Sequence, residues 1–131
     1  MYLKRAKSMM EVSKLLFSPQ GNPTNDEDKT MLGLFLAQQG IELELKHILH
    51  DLYGEDDTKK RFKSHNIFSL IRYVEEVSGI VLPDELKEMA EDITSWEQTA
   101  RYPGIAMKNA REDAERVFKI FDQVLELIDE N

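Results

Sequence analysis

Apolar residues recur at steps of three and four along most of this chain, the period of helices packed on one side. The longest seam runs Met31, Leu34, Gln38, Ile41, Leu45, Ile48 and Leu52, about 28 residues of helix closed by Tyr53-Gly54. Thr24-Asn25-Asp26-Glu27 stands at its start and reads as a capping box with an acidic first turn. Before it, Leu3, Ala6, Met10 and Leu16 predict a helix over about 2–17, and the prolines and glycine of Ser18–Pro23 end it.

After the long seam, Ile67, Leu70, Ile71, Val74 and Val77 predict a third helix that begins near Ser64–Asn66 and stops at Gly79. Pro83-Asp84-Glu85 opens a fourth, where proline and acids both suit a first turn, with Leu86, Met89, Ile93 and Trp96 inward. Asn109 with Glu112 caps a fifth, which carries Ala110, Ala114, Val117, Phe121, Val124 and Ile128. No stretch alternates as a strand would, and no repeat appears. The pattern predicts an all-α fold: an antiparallel up-down bundle of four to five helices forming a single domain over 1–131, with 1–24 an N-terminal helix and loop.

Strict up-down order would gather four features at one end. These are the end of the second helix (His47, His50), the loop Thr58–Lys63, Ser64-His65, and the turn Arg101-Tyr102-Pro103-Gly104. Pro103 and Gly104 suffice to make that turn, so Arg101 and Tyr102 are surplus to it and stand as candidates for binding.

Charge narrows the function classes. The net charge is −8, which argues against an extended nucleic-acid track. Residues 59–72 nevertheless carry +5, and near the shared end Lys59, Lys60, Arg61 and Lys63 are balanced by Asp51, Glu55, Asp56 and Asp57. A neutral end on an acidic protein suits a small nucleotide or single phosphate. No run approaches the ~20 apolar residues of a membrane span, and Met1–Met10 lack a signal peptide's apolar stretch, so a cytoplasmic location is expected. With no cysteine, thiolate metal sites are excluded.

Other constellations read more plainly. Glu44-Leu45-Lys46-His47 has the Glu-x-x-His spacing of di-metal bundles, but no second copy exists; it reads as an exposed polar stretch, with no metal or cofactor implied. Glu42 and Lys46, at i,i+4, read as a solvated ion pair or as an element that orients the second helix against another copy. His65 reads as a local hydrogen-bonding partner near a helix cap, or as an anion or base contact beside Arg101.

Three motifs resemble a known family. Phe35–Lys46, with a small residue, Gln38-Gln39, Glu42 and Lys46, is similar to the second-helix motif of HEPN domains (higher eukaryotes and prokaryotes nucleotide-binding). Ser64-His65-Asn66-Ile67 resembles that family's start of helix three, and Ala100-Arg101-Tyr102-Pro103 resembles the Arg-Tyr-Pro turn of one branch. The resemblance covers about residues 30–128 and implies a helical bundle, commonly a homodimer, often acting with a minimal nucleotidyltransferase, sometimes as a toxin–antitoxin pair.

Many HEPN members are metal-independent ribonucleases with a histidine four to six residues after an arginine. Here Arg101 is followed by Tyr-Pro-Gly-Ile-Ala-Met-Lys-Asn, without one. Cleavage by a 2′-hydroxyl needs a group that moves a proton, which arginine does not supply. The expectation is therefore a non-catalytic nucleotide- or partner-binding module, with ligand candidates Arg101, Tyr102, His65 and Lys63 and helix-two motif Gln38, Glu42 and Lys46. The alternative is a metal-independent RNA endonuclease with a non-standard site, His65 serving as base beside Arg101.

Overall fold

The computed structural model describes the backbone of residues 1–101 and 109–130 and the side chains of residues 1–98 and 109–130. Among the described residues five α-helices follow the expected order: α1 (Tyr2–Leu16), α2 (Glu27–Lys46), α3 (Ile67–Ser78), α4 (Asp84–Arg101) and α5 (Ala110–Glu130). A π-helical ending, π1 (His47–Leu52), continues α2 without a break. Among the described residues there is no strand, and no helix is long and apolar enough to cross a membrane.

The helix starts follow from short polar side chains that supply the missing acceptors. Asp26, rather than Thr24, caps α2: its carboxylate accepts from the Lys29 amide at 3.0 Å, and Glu27 and Asp28 follow in the first turn. Asn66 caps α3 by accepting from the Ser69 amide at 2.9 Å. Gly79, at φ 74°, ends α3 in the left-handed conformation that glycine adopts without a Cβ penalty.

The seam of α2 is buried from Met31 through Ile48, Gln38 included. Leu52 departs from the expectation, at 45% exposed, while Leu49 is fully buried. The wider π1 turn slips the phase of the helix, so Leu49 takes the inward place and Leu52 turns out. Gly33 and Gly40 let α1 lie close against α2. A Cβ at these positions would stand 2.6 Å from Cε2 of Phe17 and 2.7 Å from Cε of Met10. The Ser13 hydroxyl closes the contact by donating to the Gly33 carbonyl at 2.7 Å.

Helices consecutive in the chain run antiparallel with one exception, and the exception relocates the ends. His65, just before α3, meets Glu42, whereas Tyr73, further along α3, donates to Glu55 beyond the end of π1. Thus α3 runs in the same sense as the last turns of α2 and π1. The long connection between Leu52 and Ile67 makes this possible, because it has length enough to double back. Arg61 within it stacks its guanidinium 3.9 Å from the Tyr73 ring centre and pairs with Glu76.

Then α4 returns past the start of α3, where Thr94 accepts from the Ile67 amide at 3.0 Å. The first turn of α5 lies beside the α1–α2 connection: Arg111 donates to the Phe17 carbonyl at 2.6 Å and to Asn25 at 2.9 Å. The single shared end expected from strict up-down order is therefore divided among the described residues, outside which the turn residues Tyr102, Pro103 and Gly104 lie. His47 and His50 stand at the far end of α2, and α5 begins near its start.

Candidate functional site

The centre of the described site is a carboxylate inside the bundle. Glu42 is 3% exposed, and three donors converge on it. Gln38 Nε2 lies 3.2 Å from its Oε1, Lys46 Nζ 3.0 Å from its Oε2, and His65 Nδ1 3.0 Å from Oε1. Gln39 extends the chain by donating to Gln38 at 2.8 Å. Steps of four along α2 put Gln38, Glu42 and Lys46 on one ridge, and the doubled-back loop brings His65 onto it. The Lys46 ammonium also sits 5.6 Å from the Phe62 ring centre, a cation–π placement on a buried aromatic.

This corrects the reading of Glu42 and Lys46 as a solvated pair. Lys46 is buried as well, so the pair is an interior one, sustained by mutual charge and by the amide and imidazole donors around it. It also corrects the view of His65 as a merely local contact, since its partner is 23 residues away.

The arrangement orients the imidazole. An ionised carboxylate only accepts, so the bond to Glu42 puts the proton of His65 on Nδ1 and leaves Nε2 as the outward-facing nitrogen. The His65 side chain is 60% exposed, which leaves that nitrogen open to a ligand. A buried acid behind an exposed histidine holds a proton acceptor or, once protonated, a cation in a fixed direction.

Of the other candidates, Lys63 is exposed on the loop that leads to His65. The Arg101 backbone ends α4, while its side chain, and Tyr102 entirely, lie outside the described residues. Arg101 lies seven residues beyond Thr94, about 10 Å of helix rise, and Thr94 itself bonds the start of α3.

His47 and His50 belong to a separate cluster with the chain's beginning. Tyr2 donates to Asp57 at 3.2 Å and its ring meets His50 edge-on, with centroids 5.6 Å apart. His50 Nδ1 bonds the Glu55 carbonyl at 2.9 Å, and His47 bonds Asp51 at 2.8 Å. Burial alone would raise Asp51, but the His47 bond and the chain terminus together hold its carboxyl below the usual range.

Glu44 also overturns its expectation. Rather than being exposed it is fully buried, and neither carboxyl oxygen has a hydrogen-bond partner among the described residues. Burial, and then the charge of Asp122, push its pKa well above the ordinary carboxylate value. Among the described residues no group of three histidines or acids is placed to share a metal ion.

With these positions in place, comparison with known proteins is decisive. The profile of the HEPN domain family matches residues 1–131. The chain belongs to the HEPN family. No curated relative and no solved structure matches it. The HEPN assignment agrees with the all-helical fold, and Gln38, Glu42 and Lys46, singled out in the sequence, form a buried ridge of α2. Sequence reading had found those residues without the reason for them. It had missed Glu44, whose burial shows only in the register of α2 against its neighbours. It had also missed Tyr2, whose partners are 48 to 60 residues away.

Proposed function

We propose that this HEPN domain is a non-catalytic binding module that holds a nucleotide where His65, Lys63 and Arg101 can be brought to one ligand. The observation that carries the reading is the Glu42–His65 pair, in which a buried carboxylate aims an exposed imidazole outward. Lys63 precedes it by two residues and adds an exposed cation for phosphate. A homodimer, a minimal nucleotidyltransferase partner and a toxin–antitoxin setting belong to the same proposal, on the strength of family membership.

Thermal-shift measurement with nucleoside mono- and triphosphates tests it, because a ligand that binds only the native state raises the melting temperature. His65→Ala and Arg101→Ala should each lose most of the shift. An unchanged shift in both variants would overturn the site.

The same pair favours one second reading, a metal-independent RNA endonuclease with His65 as proton acceptor and Arg101 stabilising the pentavalent phosphate. Single-stranded RNA incubated in excess chelator should then be cut by the native chain and not by His65→Ala. Intact RNA would eliminate this reading.

A further inference from the structure

A groove of about 720 Å³ lies between the start of α3 and the stretch of α4 from Lys87 to Gln98, a size typical of sites for small organic ligands. Its α4 wall is a ridge in which Glu91, Thr94, Ser95 and Gln98 follow at steps of three and four. The α3 wall carries Phe68, whose ring is half exposed although it is a large apolar side chain. The polar groups on the ridge differ in their freedom. Thr94 accepts from the Ile67 amide and donates to the Ala90 carbonyl, so it is saturated. The Glu91 carboxylate and the Gln98 amide have no partner among the described residues.

The geometry points to a nucleobase subsite with a preference for guanine, an inference that rests on the nucleotide-binding reading above. Phe68 offers a flat face on which a base can stack, and every base has a π-face to put there. Phosphate is disfavoured in the groove itself, since Glu88 and Glu91 line it and its lysine, Lys87, is already paired with Glu75 at 2.9 Å. Phosphate is served beyond one end of the groove instead. Asn66 of the lining directly follows His65, and Gln98 comes three residues before Arg101, about 4.5 Å of helix rise.

The choice of base follows from acceptors and donors. An ionised carboxylate only accepts, and guanine's pairing edge presents two adjacent donors, the ring N1–H and the 2-amino group. Gln98 can donate to the neighbouring carbonyl oxygen. Uracil places its one ring N–H between two carbonyls, which repel a carboxylate. Adenine and cytosine each offer a single amino group beside an acceptor nitrogen.

Isothermal titration of the full chain with GMP, AMP, CMP, UMP and ribose 5-phosphate tests this. GMP should bind tightest. Phe68→Ala should weaken all four nucleotides about ten-fold or more and leave ribose 5-phosphate unchanged. Glu91→Gln should remove the preference for GMP and spare the other three. Both side chains are exposed, so neither change threatens the fold. Nucleotide binding without base preference, or binding indifferent to both substitutions, overturns the base subsite while the nucleotide reading stands. No binding of any nucleotide by the native chain overturns both.

Discussion

His65 Nδ1 stands 3.0 Å from Glu42 Oε1, joining the start of the third helix to the last turns of the second across 23 residues of chain. The contact fixes two things together. It sets where α3 begins along α2, and it sets which imidazole nitrogen faces outward.

The interior pair behind His65 gives the first prediction. Lys46→Met leaves Glu42 buried without its ammonium, and breaking a buried pair on one side costs about 3–5 kcal/mol. Urea unfolding should show that loss, and the double variant Glu42→Leu with Lys46→Met should recover most of it. A single-variant loss below about 1 kcal/mol would mean that water reaches the pair and relieves it.

Glu44 sets the pH dependence of stability. Its pKa is raised in the folded chain, so above the ordinary carboxylate value the native state retains a proton that the unfolded state has released. Stability therefore falls as pH rises from about 4.5 toward the native value. Glu44→Gln should flatten that fall. Glu44→Met, which removes the unpartnered carboxyl at similar volume, should stabilise by about 1–3 kcal/mol near neutrality. Melting temperatures across pH for the three proteins check it; parallel curves would contradict it.

Close approach of α1 to α2 gives a third test. Gly33→Ala places a methyl 2.6 Å from the Phe17 ring, which must move. Overpacking costs about 1–3 kcal/mol and the helix gains about 1 kcal/mol from alanine, so the net loss is up to about 2 kcal/mol. Adding Phe17→Leu should relieve the clash, leaving the Gly33→Ala step less costly in that background than alone.

The ends of α3 supply the fourth. Asn66→Ala removes the acceptor of the Ser69 amide and should cost about 1 kcal/mol. Gly79→Ala forces a side chain into the left-handed region and should cost a similar amount, although space there is open. Chemical denaturation measures both, and a neutral Asn66→Ala would show that water replaces the cap.

Periodicity made the helices legible, because each buries one continuous stripe and the stripe is local in sequence. The buried row from Met31 to Ile48 was visible for that reason, and so were the stops at Tyr53 and Gly79. The path between Leu52 and Ile67 was not legible. Its course depends on Arg61 stacking over Tyr73 and on Tyr73 reaching Glu55, contacts that no spacing rule encodes. The same gap hid the interior state of Glu42 and Lys46, which a helical wheel alone places among ordinary surface pairs. Arg101 and Tyr102 were legible as surplus to the turn, but their side chains lie outside the described residues.

The π-wound ending of α2 carries a consequence for length variation. A π turn holds one residue more than an α turn would at the same place. Were regular α winding to run across His47–Leu52 with every residue kept, the chain would leave the helix rotated by about 100°. The segment that carries Arg61, Lys63 and His65 would then depart on another bearing, and His65 would no longer come back to Glu42. Relatives that keep the carboxylate–imidazole contact should therefore either keep the wide turn or lack one residue across it.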